Sequence, residues 1–297
     1  MNLNLYKDFI VRTSKNYKFN KINNNLDQDV LINGNQNICF LRHDVDFSPS
    51  NALKIAQLES DKGVVSTFTV LLTGEFYNPL EPANRKIFKQ IKNLDHEVGL
   101  HFDSSIYLID SEDKLDDFIQ KEAVVLEDII ESKVEMFSFH NTTDFSMSCK
   151  KNKYGNLINS YSNFFHDSVD YISDSNGYWR FRSWDELLDE NKKLIQILTH
   201  PIWWRENSLP PFETVIENCL ERYKNQISIY TKFFDGQKTR KNKSALSNSL
   251  KQLNKENDSS ILNAYSTYTN LINLLVNDSL NMNEEDLKKI AEDFFKR

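Results

Sequence analysis

Asp44 and Asp46 stand two residues apart in LRHDVDF (41–47), at the end of an apolar run that then breaks. On an extended strand, residues two apart project from one face. Two carboxylates held that close resist ionising together unless a cation or a proton lies between them. Three histidines occupy comparable places: His101 ends EVGLH, His140 ends VEMFSFH and His200 ends LIQILTH. Asp174 sits in the turn-like DSNGYWR. Each has a plain structural reading when taken alone. One Asp could cap a helix while the other is solvated, and a single strand-end histidine is commonly a satisfied structural residue. Gathered on one rim, carboxylate and imidazole suit a divalent metal: Zn²⁺, Fe²⁺, Mn²⁺ or Co²⁺.

Bringing these residues to one rim requires strands whose carboxyl ends share a side, as in parallel sheets and α/β barrels. From about residue 37 to 235, short apolar runs alternate with amphipathic stretches, the pattern of βα units. Strands are expected at 38–45, 65–72, 97–102, 134–139, 163–167 and 194–199, and helices at 50–62, 84–93, 113–131 and 184–190. Ser48 and Pro49 read as the N-cap and first residue of the helix after the Asp pair. Leu115, Phe118, Ile119, Glu122, Leu126, Ile129 and Ile130 keep helical spacing. Pro210 and Pro211 open a further helix to about 234.

Residues 236–297 differ in kind. Between Gln237 and Lys255 they carry Lys238, Arg240, Lys241, Lys243, Lys251 and Lys255 without one acidic residue. Such a run is usually a solvated face. Two amphipathic patterns follow, Ile261–Tyr265–Tyr268–Ile272–Leu275 and Leu287–Ile290–Ala291–Phe294–Phe295. The expected organisation is a catalytic domain over 1–235. A basic linker and helical appendage over 236–297 would follow it, through which the chain could self-associate.

Composition sets the outer limits. The chain has 297 residues, 39% of them hydrophobic, enough for a full core. Only 7 Gly and 6 Pro argue against a loop-rich or low-complexity protein. A net charge of −7 disfavours nucleic acid or anionic membrane as a partner of the whole molecule. Cys39, Cys149 and Cys219 are odd in number and lack C-x-x-C spacing, which points to neither a disulfide framework nor a zinc knuckle. No apolar run reaches membrane-spanning length and the N-terminus lacks a signal-like core, so a cytoplasmic location is expected.

The motifs RHDVD, STFTVLL, HEVGLHFD, DSNGYW and ILTHP, in this order and rough spacing, resemble the polysaccharide deacetylase superfamily, carbohydrate esterase family four and its relatives. The resemblance covers about residues 37–204. It implies an α/β fold of the incomplete (β/α) barrel type and metal-assisted removal of acetyl from an N-acetylated sugar or polysaccharide precursor. Carried over by position, it makes Asp44 the general base and Asp46 and His101 metal ligands. His200 becomes the general acid, oriented by Asp174. Trp179, Trp203 and Trp204 would be sugar-stacking walls, or equally ordinary core and rim packing.

Two departures stand out. Family members carry a second metal histidine four positions after the first, where this chain has Ser105; and SFHNTT takes roughly the place of an arginine–proline motif. Either His140 completes the metal site, or the site binds metal weakly, or the barrel persists without activity. His96, five residues before His101 on a strand, faces the other way. Arg42 and Arg180 could each replace the missing arginine or simply form structural ion pairs. Three functions follow. The first is a metal-dependent sugar deacetylase, with Zn²⁺ the first choice of metal. The second is a degenerate carbohydrate-binding or scaffold protein of a surface-polysaccharide pathway. The third is a hydrolase of another linear or cyclic amide.

Overall fold

The structure, a computed structural model, describes residues 1–236, of which Met1–Glu221 form one compact unit; a second begins at Arg222. The appendage expected from 236 onward lies, apart from Gly236, outside the described residues.

One sheet organises the chain. Its strands are β1 Lys18–Phe19, β2 Ile38–Val45, β3 Thr67–Leu71, β4 Glu97–Asp103, β5 Met136–His140, β6 Lys153–Tyr154, β7 Leu157–Asn159, β8 Asp170–Ser173 and β9 Leu194–Thr199. They lie in the order β6-β7-β5-β4-β3-β2-β9-β8, with β1 added beside β2. Every pairing is parallel except β6 with β7. All central strands therefore end at one rim. No described strand pairs β8 with β6 or β7, so the curled sheet is an incomplete barrel, as expected.

Helices cross over between strands: α3 Pro49–Ser60, α4 Pro82–Asn93, α5 Glu112–Ile130 and α8 Trp184–Asp189. The helix α1 Leu3–Asn16 precedes them and α9 Pro211–Gly236 follows β9, with the short helices α2 Gln28–Asn33, α6 Asp144–Ser148 and α7 Asn163–Ser168 in the connections. Ser48 Oγ accepts the Asn51 N–H and Pro49 takes the first turn, which starts α3 directly after the Asp pair. One expectation fails. The run 163–167 is not a strand but part of the helix Asn163–Ser168, and the strand is the following Asp170–Ser173. Phe164 and Phe165 are both buried, as neighbours in the central strands also are, so a short apolar run of this kind does not by itself tell a strand from a single helical turn.

The period of two along each strand divides the core. One set, with Cys39, Leu41, Phe68, Val70, Val98, Leu100, Phe102, Phe137, Ile195 and Ile197, packs against Ile55, Phe88, Ile91, Leu115, Leu126 and Ile129 of the helices. The alternate set faces the barrel interior. At its closed end Ile38, Phe40, Met136, Phe165 and Leu194 form a second apolar cluster. A Cβ on Gly99 of β4 would sit 2.1 Å from Met136 Sδ and 2.9 Å from the Met136 carbonyl oxygen, so only glycine fits there. Toward the carboxyl rim the same interior positions turn polar: Arg42 and Asp44, Thr69, His101 and Asp103, Ser138 and His140. The apolar floor holds the strands; the polar rim is free for chemistry.

Candidate active site

Asp44, Asp46, His101, His140 and His200 line one cavity of about 610 Å³ at the carboxyl rim. The register explains the convergence. Asp44 pairs with Thr69, Leu71 with His101, and Asp103 with His140, while His43 and Thr199, each just before a site residue, pair with one another. Each site side chain thus sits at an interior position within the last three residues of its strand or just beyond its end.

Asp44 is 2% exposed and held from three sides. Arg42 Nη2 donates to Oδ2 at 3.2 Å, and Arg42 Nε lies 3.0 Å from Oδ1 without the alignment of a hydrogen bond. Thr69 Oγ1 donates to Oδ1 at 2.6 Å. Burial opposes the charge on Asp44, yet Arg42, His101, His200 and the Thr69 hydroxyl outweigh it and hold the pKa below the usual carboxylate range. Arg42 is fully buried, donates to Ser160 Oγ at 3.0 Å and stacks over Tyr161 at 5.4 Å. It does not line the cavity but lies beneath Asp44, the place a tethering arginine needs. Arg180 is exposed and lines the rim instead.

Asp46, His101 and His140 can bring three donor atoms together. Asp46 Oδ1 is 3.2 Å from His101 Nε2 and 3.7 Å from His140 Nδ1, and the two ring nitrogens are 3.1 Å apart. A tetrahedral zinc with bonds of ~2.0–2.1 Å has ligand–ligand edges of about 3.3 Å. Asp46 Oδ1 is buried and has no hydrogen-bond partner within the protein, although two ring nitrogens face it. An unpartnered carboxylate oxygen opposite two imidazoles is what a divalent cation would satisfy, so the residues fit the group. Burial, then the neighbouring His101, keep the His140 pKa below its ordinary value, favouring the neutral ring that ligation needs.

Opposite this triad, His200 Nε2 lies 3.6 Å from Asp46 Oδ2. Its Nδ1 meets Asp174 Oδ1 at 2.6 Å, and its backbone N–H donates to the same oxygen at 2.9 Å. Trp204 Nε1 donates to Asp174 Oδ2 at 2.8 Å. Burial raises the Asp174 pKa above its ordinary value, opposed by the hydrogen bonds from His200 and Trp204. Burial works against a charged His200, while Asp174, Asp46 and Asp44 outweigh it and lift its pKa to about 9.

The three tryptophans part company. Trp203 lines the cavity beside Phe47, with ring centroids 5.8 Å apart. Trp204 is 3% exposed and serves Asp174 from below. Trp179 is half-buried against Trp184 and Trp204, away from the cavity. Ser105 is no ligand: its Oγ and N–H both donate to Asp103 Oδ1, at 2.6 and 2.9 Å. His96 is buried on the far side of the sheet, bonded to Ser66 Oγ and the Ala56 carbonyl. Asp103, Asn141, Tyr161 and Phe76 also line the cavity and were not singled out in the sequence. Asp103 stands two after His101, a spacing that could have placed it. Tyr161 stands two residues after the three-residue strand β7, a run too short to carry such a signal.

No sequence family and no curated protein matches the chain. Among solved structures it is similar to a family 4 pseudoenzyme from Bacillus anthracis, at 16% identity over 65% of this chain and 62% of that one, with a TM-score of 0.35. A family 4 carbohydrate esterase from the same organism shares 14% identity over 74% and 86%, TM-score 0.38. A family 4 acetyl xylan esterase from Clostridium thermocellum, in complex with a cobalt ion, shares 18% over 63% and 84%, TM-score 0.36. The chain spans a little under two thirds of the length of the first of these. The structural likeness is to family 4 carbohydrate esterases, at a divergent level of identity.

Proposed function

We propose that the protein is a metal-dependent hydrolase that removes acetyl from an N-acetylated sugar or polysaccharide precursor. The observation that supports this most directly is the joint placement, in one cavity, of a tethered carboxylate, an Asp–His–His donor set and a carboxylate-backed histidine. Asp46 Oδ1, His101 Nε2 and His140 Nδ1 would hold a divalent cation, Zn²⁺ before Fe²⁺, Mn²⁺ or Co²⁺, whose Lewis acidity would acidify a water and polarise the amide carbonyl.

The chain's own residues account for the rest. Asp44 accepts the proton of the attacking water. Its low pKa keeps it ionised and available at neutral pH, at some loss of basicity. Arg42 and Thr69 fix the carboxylate so that the proton acceptor does not rotate away. His200, protonated because its pKa is about 9, donates from Nε2 to the departing nitrogen. Asp174 holds His200 Nδ1 and sets which ring nitrogen faces the cavity, and Trp204 holds Asp174. Phe47 and Trp203 offer an apolar wall to a sugar face, and Arg180 stands at the mouth.

Ser105 favours a second reading, a catalytically degenerate carbohydrate-binding or scaffold protein; hydrolysis of another amide is the third. Zinc-loaded protein should release acetate from some member of a panel of N-acetylated saccharides and nucleotide sugars. Asp44→Asn should lose ~10²–10⁴-fold in rate while still binding metal at full stoichiometry under saturating zinc. Bound metal with no acetate from any of these would move the assignment to the binding protein or to another amide.

A further inference from the structure

We propose that Thr69 and Ser138 are positioning residues, forming a hydrogen-bonded relay from Asp44 that sets the tautomer of His101. The relay crosses four neighbouring strands. Asp44 is on β2, Thr69 on β3, His101 on β4 and Ser138 on β5, and the registers Asp44 with Thr69 and His101 with Ser138 put them side by side. All four are 2% exposed or less, so water does not compete for their polar atoms.

Counting donors fixes every direction from one end. An ionised carboxylate only accepts, so the Thr69 hydroxyl must donate to Asp44 Oδ1, at 2.6 Å. That hydroxyl has then spent its single proton, and Thr69 Oγ1 can only accept from Ser138 Oγ, 3.2 Å away. Ser138 has in turn spent its proton. Its oxygen, 2.7 Å from His101 Nδ1, can only accept, so Nδ1 must carry the hydrogen. A neutral His101 then has its lone pair on Nε2, the atom that faces Asp46 Oδ1 and His140 Nδ1. Ligating histidines are commonly oriented by a bond at their other nitrogen. Here that bond is itself oriented by the residue proposed as base, two hydroxyls away.

The consequence for metal affinity rests on the proposed metal site; the tautomer does not. In metal-free protein at pH 8, nitrogen-15 spectra of the histidine rings should show His101 protonated at Nδ1, assigned by its loss in His101→Gln. Thr69→Val keeps the side-chain volume and removes no hydrogen bond made by His101 itself, yet should shift it toward the Nε2–H form. Ser138→Ala should do the same, and Thr69→Ser, which restores the hydroxyl, should not. Zinc affinity, read by competition with a chromophoric chelator, should fall ~10–100-fold in Thr69→Val and Ser138→Ala and hold in Thr69→Ser. A wild-type His101 protonated at Nε2, or at both nitrogens, would overturn the relay, as would an unchanged tautomer in Thr69→Val. Nδ1–H in a wild type that binds no zinc would uphold the relay and discard the metal site instead.

Discussion

Replacing Arg42 with methionine removes the guanidinium that touches Asp44 at about 3 Å and leaves a carboxylate in a site with 3% of its side chain exposed. Two unit charges 3 Å apart attract by roughly 5–6 kcal/mol at an effective dielectric of 20. Taking one partner from a buried pair typically destabilises by about 3–5 kcal/mol. The pH dependence separates this from lost packing. In the wild type the Asp44 pKa is depressed, so its contribution is present above the unfolded value of ~3.9 and lost only as pH falls through the lower folded value. In Arg42→Met, burial acts with less opposition and the folded pKa rises above ~3.9. The variant then loses stability as pH climbs from about 4 toward that raised value, by no more than ~1.4 kcal/mol per pH unit. Urea denaturation at pH 5 to 8, with chelator present, should show the gap between wild type and variant widening with pH to a plateau near 3–5 kcal/mol. Adding Asp44→Asn to Arg42→Met should remove the widening. A gap of constant size at every pH, or one that persists in the double variant, would refute the account of Arg42 as the counter-charge of Asp44.

His140→Ala and His101→Ala should each strip zinc to a similar degree, measured as bound metal per chain after dialysis; full stoichiometry in His140→Ala would remove it from the donor set. Glu122 on α5 has one carboxylate oxygen on the Tyr107 hydroxyl and the other buried without a partner. Burial raises its pKa from an ordinary 4.5 to about 7, so the wild type loses stability as pH rises through that interval. Glu122→Gln does not titrate and should gain on the wild type between pH 5 and 8, by up to about 3 kcal/mol in urea melts. Parallel stability curves would exclude the effect.

The central strands were legible because both faces are covered and their apolar runs are continuous: Ile38–Val45 and Leu194–Thr199 fall where the runs predict. Helices α3, α4, α5 and α8 were legible from period and caps, within two residues at each end. What escaped was short or one-sided. β1, β6 and β7 hold two or three residues each, too few for a period of two to show. Asp170–Ser173 is buried only at its second half, and the neighbouring Phe pair drew the expected strand onto a helix. α1 buries Tyr6, Phe9, Ile10 and Thr13 at helical spacing, but among polar neighbours that dilute the pattern.

The candidate site was legible to the extent that its residues end strands. A parallel sheet converts "last residue of an apolar run" into "same rim", and so Asp44, Asp46, His101, His140 and His200 could be gathered from spacing alone. Asp174 stood among the candidates by residue type but took its role only from the resemblance, and that role depends on Trp204, whose alternative reading as packing fits its buried place beneath the site. Partnership of this kind is decided by packing between β9 and the turn after β8, which no local pattern encodes. Ser105 shows the converse. In the sequence it reads as a lost ligand; in the structure it caps Asp103, whose other oxygen accepts from Asn141 at 3.2 Å, the residue after His140. Asn141 has φ +47°, a left-handed turn that asparagine tolerates, directly after the histidine proposed as a metal ligand. Asp103 thus joins the ends of β4 and β5 by accepting from Ser105 and Asn141, and a link between residues so far apart in the chain has no local pattern that would announce it.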